Sequence, residues 1–286
     1  MIDTNDLTLF YTVGGYDVHY ENMMRSIQSI RDRGLKCKFL ILEFGTKLKS
    51  TSDMEVLDYS DAINFNSGKV GYLIWKHKYI GALQVKTKYG MYVDSDTVMA
   101  SNNVLTILEN VGTGLAATQH FWVPTIQEYQ TKVCTAEFLP EFLKVKKMLN
   151  LANKDPFYAG GSFIFANNES NKQVFENVLK WYNEYYTEGK GYVKTITDEL
   201  FLAAALKKYE GKLLKLGGGF NHCSMGEDYM PMILKDSTLY GRNPYEEDWT
   251  PITFLHCDIS RRDPSQCYHG EMKEMIRNYF GMDSSE

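Results

Sequence analysis

Residues 89–96 read YGMYVDSD, an apolar run that ends abruptly in two carboxylates one residue apart. If 89–93 form a strand, Asp94 and Asp96 leave its carboxyl end on the same side, because side chains alternate along an extended backbone. In α/β sheets, ligands bind at the carboxyl ends of strands. Two carboxylates placed there can hold Mg²⁺ or Mn²⁺ and, through the ion, a diphosphate. Taken alone, the segment fits a solvated acidic turn equally well.

The chain before this segment follows the element order of a parallel α/β sheet. Residues 7–13 form a β-rich apolar run that ends in a glycine pair, and hydrophobic residues then recur at helical spacing. Residues 36–44 predict a second strand, and 72–85 predict the helix that precedes the strand at 89–93. The sequence has no G-x-G-x-x-G or P-loop motif, so it supports neither a common dinucleotide fold nor a P-loop.

Strands and helices continue to alternate after residue 98, with no repeat, low-complexity linker or break in composition. We predict strands at 115–118, 157–166, 212–216 and 252–257, and helices at 140–149, 170–186, 198–208 and 270–280. Residues 1–286 are therefore expected to form one α/β domain, with a mixed, Rossmann-like central sheet flanked by helices.

Composition limits the classes of partner. The 286 residues carry a formal net charge of −5, and 44% are hydrophobic, as in a globular protein. Because there is no global positive field, we expect no nucleic-acid partner, and a bound polyanion must be neutralised locally. The five cysteines show neither zinc-ligand spacing nor a disulfide framework. With no signal peptide and no transmembrane segment visible, a cytoplasmic location is expected.

Two further features lie in the second half of the chain. Gly160-Gly161 interrupt a predicted strand, and glycine lets backbone approach a ligand closely; an ordinary turn is the alternative. Asp198 and Glu199 open an apolar helix, where the helix dipole favours carboxylates. Thr195 and Asp198 fit a capping box, so helix capping is the alternative role for this acidic pair.

His256 ends an apolar strand, and Arg261 and Arg262 follow it. An imidazole at this point can complete a metal site, and a guanidinium beside it can pair with phosphate. A lone histidine is more often structural. The functional interpretation of His256 therefore depends on the oxygen-rich site already inferred from Asp94 and Asp96.

In this order the motifs resemble those of metal-dependent glycosyltransferases with the GT-A fold, and they look most like glycosyltransferase family 8. The matching segments are the DxD at 94–96, the glycine-rich segment at 159–162, the acidic pair at 198–199 and the late His256. Weaker matches at 163–167, 198–202, 216–221 and 256–262 extend the resemblance over nearly the whole chain. Glu199 stands where that family has Gln, and Arg262 where it has Lys.

The resemblance implies a GT-A (nucleotide-diphospho-sugar transferase) fold and a metal site. Residues 1–100 would be the nucleotide-binding half, and 101–286 the acceptor-side half with a C-terminal metal and phosphate segment. Asp96 would be the principal metal ligand, Asp94 would contact the metal or the nucleotide ribose, and His256 would complete the set. Mn²⁺ suits such carboxylate and imidazole ligands together with diphosphate oxygens, and Mg²⁺ is the alternative ion.

The resemblance also implies a donor site and a catalytic pair. Its donor-binding residues would be Tyr11, Thr12, Val13, Lys78, Asp94, Ser95, Gly160, Gly161 and Arg262. For Lys78, a solvated surface lysine is the alternative. Asp198 or Glu199 would be the general base if the enzyme inverts the anomeric configuration. In a retaining enzyme the same carboxylate would position the sugar or stabilise an oxocarbenium-like centre. Aromatic residues at 120–122 and 182–186 could face an acceptor sugar, although core packing explains most of them.

The sequence thus predicts a glycosyltransferase that moves a sugar from a nucleotide donor, a UDP-sugar, to a glycan or glycosylated acceptor. Two other functions remain open. A haloacid-dehalogenase-like phosphatase would use Asp94 as its nucleophile, but it would have its motif near the chain start and a later acidic pair that has no convincing match here. A non-catalytic sugar-binding protein on the same fold would have a broken metal set, whereas Asp94, Asp96 and His256 are all present.

Overall fold

A computed structural model describes residues 3–62, 74–186, 193, 195–223, 230–257, 265, 268 and 270–282 of the chain. The strands are β1 Leu7–Val13, β2 Lys38–Glu43, β3 Met54–Asp58, β4 Tyr89–Val93, β5 Thr97–Met99, β6 Leu115–Gln119, β7 Tyr158–Ala166, β8 Leu213–Leu216, β9 Asn221–Cys223, β10 Met232–Lys235, β11 Thr238–Gly241, β12 Thr250–Pro251 and β13 Phe254–His256. The helices are α1 Asp17–Asp32, α2 His77–Gln84, α3 Val104–Val111, α4 Ile126–Lys132, α5 Leu139–Met148, α6 Glu169–Tyr185, α7 Asp198–Lys207 and α8 Gly270–Phe280.

Seven of these strands form a mixed central sheet in the order β3-β2-β1-β4-β7-β6-β8. β1 pairs in parallel with β2 and β4, β2 with β3, and β6 with β8. β7 runs antiparallel to both β4 and β6. The amino end of β7 therefore meets the carboxyl ends of the other strands at one edge of the sheet, where ligands bind in α/β folds.

Helices cover both faces of this sheet. Along β1, Phe10 packs into one core with α2, α6 and α7, while Leu9 and Tyr11 pack into the other with α1 and α3. Strands that are buried on both faces read as continuous apolar runs. This explains why residues 7–13 and 89–93 lack the polar alternation of a half-exposed strand.

β7 is bulged at the ligand-binding edge. Its register with β6 shifts between Ala117 and Gln119, so that Thr118 lies opposite residues 159–162. A bulge bends its strand and re-aims the side chains, and bulges are common beside active sites. The glycine pair predicted to approach a ligand lies within this bulge.

A second sheet extends the same edge. In it, β13 pairs antiparallel with β5 and parallel with β9. The register places His256 opposite Thr97, the residue that follows Asp96. The pairing of β13 with β5 thus places His256 beside Asp94 and Asp96. A third sheet, β10-β11-β12, shares a small core with α8.

The predicted α/β class, with a mixed central sheet and flanking helices, is confirmed. β1, β4 and α8 have the predicted bounds, and most other predicted elements shift by one or two residues. Of the helix predicted at 72–85, residues 72 and 73 lie outside the described part, and α2 covers 77–84. Sequence reasoning missed β3, β5, β9, β10, β11, β12, α3 and α4.

Within the described ranges, no helix has both the length and the apolar character needed to cross a membrane. Cys37 is a buried free thiol, and Cys134 is a half-buried one. The single-domain organisation and the functional division near residue 100 stay predictions.

Candidate active site

The two strand-end carboxylates and the late histidine converge at the ligand-binding edge. One ligand atom from each of Asp94, Asp96 and His256 lies within 4.8 Å of the other two. His256 Nε2 is 3.0 Å from Asp96 Oδ1. Neighbouring ligands of one octahedral cation, each about 2.1 Å from the ion, lie about 3 Å apart. The three half-buried side chains therefore fit a single divalent ion.

Hydrogen bonds from three directions hold the turn that carries the carboxylates. Asp94 N–H donates to Gly161 O at 3.0 Å, and Thr97 Oγ1 donates to Asp94 O at 2.9 Å. Cys257 N–H donates to Asp96 O at 2.8 Å. The bulge, the turn itself and the second sheet thus fix the acidic pair, which does not have the exposure of a solvated turn.

Crowding of negative charge makes this cluster a site for a cation. Burial raises the pKa of Asp94, and Asp96 adds to the rise, while Lys78 and His256 oppose it. Burial alone would lower the pKa of His256, but Asp96 and Asp94 outweigh burial and raise that pKa to about 10. A protonated imidazole therefore balances the carboxylates without a metal, and a divalent ion would displace that proton.

The two glycines of the bulge face different acidic pairs. A methyl group on Gly161 would collide with Asp94 Oδ2. A methyl group on Gly160 would lie 2.8 Å from Asp198 Oδ2 and 2.9 Å from Lys78 Nζ. Glycine is required here by close approach of side chains to the backbone. Gly160 and Gly161 are consecutive, so their Cα atoms lie about 3.8 Å apart. Adding the close contact that each glycine makes places the carboxylates of Asp94 and Asp198 within roughly 12 Å of each other.

A buried cation holds Asp198. This residue is 4% exposed, and its Oδ2 lies 2.9 Å from Lys78 Nζ and 2.7 Å from the Tyr79 hydroxyl. Lys78 also donates to Gly160 O at 3.0 Å. Burial alone would lower the pKa of Lys78, but Asp198 and Asp94 outweigh burial and raise it, so the lysine stays charged. The solvated-lysine alternative is therefore wrong.

Glu199 lies beside this ion pair and contacts the bulge. Its Oε1 accepts a hydrogen bond from Gly160 N–H at 2.9 Å. Burial, with help from Asp198, raises the pKa of Glu199 to about 7. The capping-box prediction is wrong, because α7 begins at Asp198 and its N-cap is Thr197, whose side chain makes no capping bond.

Of the predicted residues at the end of β1, Thr12 lies near a tyrosine whose hydroxyl binds Asp94. Thr12 Oγ1 lies 3.5 Å from the Tyr92 hydroxyl. The Tyr11 side chain is fully buried with its hydroxyl 3.0 Å from Ser26 Oγ, and Val13 is buried as well. A donor contact by Tyr11 or Val13 would therefore have to come from the backbone, and it stays a prediction.

Sequence reasoning missed two tyrosines that connect the predicted residues. The Tyr92 hydroxyl donates to Asp94 Oδ1 at 2.9 Å, and the Tyr79 hydroxyl donates to Asp198. Burial raises the pKa of both phenols well above the ordinary value, so they remain donors. Tyr92 could have been found, because it precedes Asp94 by two residues on one strand and so shares its face.

Other predicted residues have plainer positions. Ser95 lies half-buried between the two carboxylates. Arg261 and Arg262 fall outside the described residues. Of the aromatic residues at 182–186, Tyr182 and Tyr185 are buried in the core, as the packing alternative expects. The side chains at 120–122 are half-buried.

Comparison with known proteins shows similarity in structure only. No family model and no curated protein matches the sequence. The galactosyltransferase LgtC, solved in complex with donor and acceptor sugar analogs, is 12% identical with a TM-score of 0.55, over 98% of this chain and 97% of LgtC. An active-site Gln-to-Glu mutant of LgtC is 13% identical with a TM-score of 0.58, over the same shares of the two chains.

The chain has the GT-A fold. The glycosyltransferase GlyE of Streptococcus pneumoniae TIGR4 is more distant, at 10% identity and a TM-score of 0.48 over 96% of this chain and 60% of GlyE. In this GT-A protein the strand-end acidic pair and the helix-start acidic pair meet at the bulge of β7.

Proposed function

We propose that this protein is a glycosyltransferase that moves a sugar from a UDP-sugar to a hydroxyl group of a glycan or glycosylated acceptor. The observation that supports this most strongly is the convergence of Asp94, Asp96 and His256 at the ligand-binding edge of a GT-A sheet. LgtC, which has a similar structure, is a galactosyltransferase that was solved with donor and acceptor sugar analogs. A nucleotide-sugar donor and a sugar acceptor are the corresponding partners proposed here.

The metal of this reaction would be held by three side chains. Asp96 and His256 would be direct ligands, and Asp94 would contact the ion or the ribose. Carboxylate oxygens with one imidazole fit Mn²⁺, and Mg²⁺ is the alternative. A divalent ion held by these residues would supply positive charge that stabilises the departing nucleoside diphosphate. A local cation is needed because the chain's net charge of −5 repels a diphosphate.

The donor would lie across the carboxyl edge, from β1 to the bulge of β7. The residues proposed to contact it are Thr12, the backbone of Tyr11 and Val13, Lys78, Asp94, Ser95, Gly160, Gly161 and Arg262. Two N–H groups of the Lys78 ammonium are engaged, one by Gly160 O and one by Asp198. An ammonium group has three N–H donors, so one is left for a sugar hydroxyl.

The catalytic groups would be Asp198 and Glu199. In the transfer, the acceptor oxygen bonds to the anomeric carbon while the bond from that carbon to phosphate breaks, and the electron pair leaves on the diphosphate. With inversion, a carboxylate would take the acceptor's proton. With retention, a carboxylate would stabilise positive charge at the anomeric carbon, and the proton would pass to the departing diphosphate.

Neither rival function gains support from the site. A phosphatase that uses Asp94 as nucleophile is not favoured, because the fold is GT-A and Asp94 belongs to a three-ligand cluster. A non-catalytic sugar-binding protein would not need a complete metal set beside two further carboxylates. The cytoplasmic location stays a prediction from the sequence.

A donor panel tests the proposal. The protein is incubated with UDP-glucose, UDP-galactose, UDP-N-acetylglucosamine and GDP-mannose, each with Mn²⁺, with Mg²⁺ or with EDTA, and released nucleoside diphosphate is measured. We expect turnover of a UDP-sugar with Mn²⁺ and none with EDTA. Absence of both turnover and binding for every donor, with or without metal, would contradict the proposal.

A further inference from the structure

Resting on the proposed function, we infer that three buried hydroxyl groups position the turn that carries Asp94 and Asp96. The hydroxyls belong to Tyr11 on β1, Ser26 on α1 and Thr97 on β5, and they form one hydrogen-bonded chain that ends on the backbone carbonyl of Asp94. They bond to one another and to the backbone rather than to the ion or the donor. The three are therefore positioning residues, which act through the place and rigidity of residues 94–97.

The chain of hydroxyls crosses the core from one strand to another. The Tyr11 hydroxyl lies 3.0 Å from Ser26 Oγ, and Ser26 Oγ lies 3.3 Å from Thr97 Oγ1. Thr97 Oγ1 donates to Asp94 O at 2.9 Å. All three residues that supply hydroxyls are fully buried, so bulk water does not compete for these bonds.

The order of the protons along the chain follows from its last bond. A backbone carbonyl only accepts, so Thr97 gives its single hydroxyl proton to Asp94 O. Thr97 Oγ1 must then accept from Ser26, and Ser26 must accept from Tyr11. Burial raises the pKa of the Tyr11 phenol, so that phenol keeps its proton and donates. Hydrogen bonds that point in one direction polarise and strengthen one another, so the chain acts as a unit.

Ser26 is a polar residue on the core-facing side of α1. The apolar residues around it on that side are fully buried: Met23, Ile27 and Ile30. A hydroxyl in such a place costs free energy unless it is hydrogen-bonded, and an apolar side chain would pack there without that cost. The bonds of Ser26 to Tyr11 and Thr97 meet this requirement and join α1 to the turn.

A second serine, three residues later, ties α1 to the other end of β5. Ser29 Oγ accepts a hydrogen bond from Met99 N–H at 2.9 Å and donates to Ser26 O at 2.7 Å. β5 is only three residues long and directly follows Asp96. Because a binding site must hold its ligands within about 0.5 Å of the required geometry, a shift of β5 against α1 would reach the metal ligands.

The chain of hydroxyls also joins two parts of the proposed donor site. Tyr11 lies on β1, whose end is proposed to contact the donor, and Thr97 bonds to the residue that is proposed to contact the ion. A nucleoside diphosphate has a limited length and must reach from one part to the other. We therefore expect the buried chain to set the distance between them.

Mn²⁺ titration by electron paramagnetic resonance tests the chain with matched variants. Thr97→Val keeps the volume and removes the hydroxyl, and we expect Mn²⁺ affinity to fall about tenfold. Ser26→Ala should lower it about fivefold, the effect of one hydrogen bond. Thr97→Ser restores the hydroxyl and should stay within about twofold of the wild type.

The control for lost stability is Thr8→Val. It breaks a hydroxyl pair with Thr87 near the other end of β1, so it should cost about as much stability as Thr97→Val without changing Mn²⁺ affinity. Equal Mn²⁺ affinities of Thr97→Val and Thr8→Val would overturn the inference. Equal losses in Thr97→Val and Thr97→Ser would also overturn it, because the hydroxyl would then have no part in the effect.

Hydrogen exchange of the metal-free protein tests the same inference without any ligand. Deuterium uptake is followed by mass spectrometry in a peptide that covers residues 94–99. Ser26→Ala leaves the sequence of this peptide unchanged, and we expect faster exchange in it than in the wild type or in Thr8→Val. Unchanged exchange in Ser26→Ala would overturn the inference. A wild type that binds no Mn²⁺ but shows the expected exchange would count against the proposed function alone.

Discussion

The two acidic pairs of the site differ in what neutralises them. The helix-start pair has a built-in cation, since Lys78 Nζ lies 2.9 Å from Asp198 Oδ2. The strand-end pair has as its ion-pair partner, among the described residues, His256, which is itself a candidate metal ligand. A lysine at contact distance already neutralises its carboxylate, so no metal ion is required there. Two neighbouring carboxylates beside an imidazole form a ligand set that binds a divalent metal ion. The first pair is therefore held without an added ion, and we propose that a metal and, through it, a diphosphate bind at the second.

The largest effect is expected from removing the built-in cation. Lys78→Met leaves Asp198 buried without its counter-ion, and breaking a buried pair in this way costs about 3–5 kcal/mol. The measurement is the free energy of unfolding by denaturant titration. Lys144→Met is the matched control, because Lys144 is exposed and its pairing with Glu141 is loose at 3.9 Å. Equal stability of the two variants would contradict the role of Lys78.

A smaller effect, confined to binding, is expected at the strand-end pair. Asp96→Ala should weaken Mn²⁺-dependent binding of UDP about 100-fold, or about 2.7 kcal/mol, with little loss of stability. Isothermal titration with UDP measures this, with Asp32→Ala on the exposed side of α1 as the control. Unchanged UDP affinity in Asp96→Ala would show that the metal site is wrongly assigned.

Alanine substitutions at Gly160 and Gly161 can test whether the two acidic pairs act independently. Gly161→Ala pushes on Asp94 and should weaken Mn²⁺ binding about 10-fold. Gly160→Ala pushes on Asp198 and Lys78, so it should change Mn²⁺ affinity less than about twofold while lowering turnover. Titration of Mn²⁺ by electron paramagnetic resonance compares them. Equal losses of Mn²⁺ affinity would mean that the pairs are not separate.

Tyr92 should have the smallest effect. Tyr92→Phe removes the hydroxyl that donates to Asp94 Oδ1, and a hydrogen bond of this kind contributes about 1 kcal/mol, or roughly fivefold in Mn²⁺ affinity. Tyr89→Phe in the same strand, at its far end, is the control. If both variants bind Mn²⁺ like the wild type, Tyr92 does not tune the metal site.

Sequence reasoning succeeded where local pattern decides structure. The bounds of β1 and β4 follow from unbroken apolar runs that are buried on both faces, and the start of α7 follows from its acidic first turn. The residue types at 94, 96 and 256 already point to a shared metal, because few other roles require two carboxylates and a histidine at strand ends.

What sequence reasoning missed depends on pairing between distant segments. β5 and β9 are three residues long and exist because β13 lies between them. The partners of Lys78, Gly160 O and Asp198, lie far along the chain, so nothing near Lys78 reveals a buried ion pair. The capping-box prediction is wrong because the chain before Asp198 is not helical. The identity of residue 195 alone does not indicate where the helix begins.

Pulsed electron paramagnetic resonance of Mn²⁺ with the protein and UDP tests the central claim most directly. We predict one bound ion coupled both to phosphorus nuclei of UDP and to an imidazole nitrogen, with the nitrogen coupling lost in His256→Ala. An ion coupled to phosphorus without nitrogen, or a nitrogen coupling that persists in His256→Ala, would contradict a metal held by Asp94, Asp96 and His256.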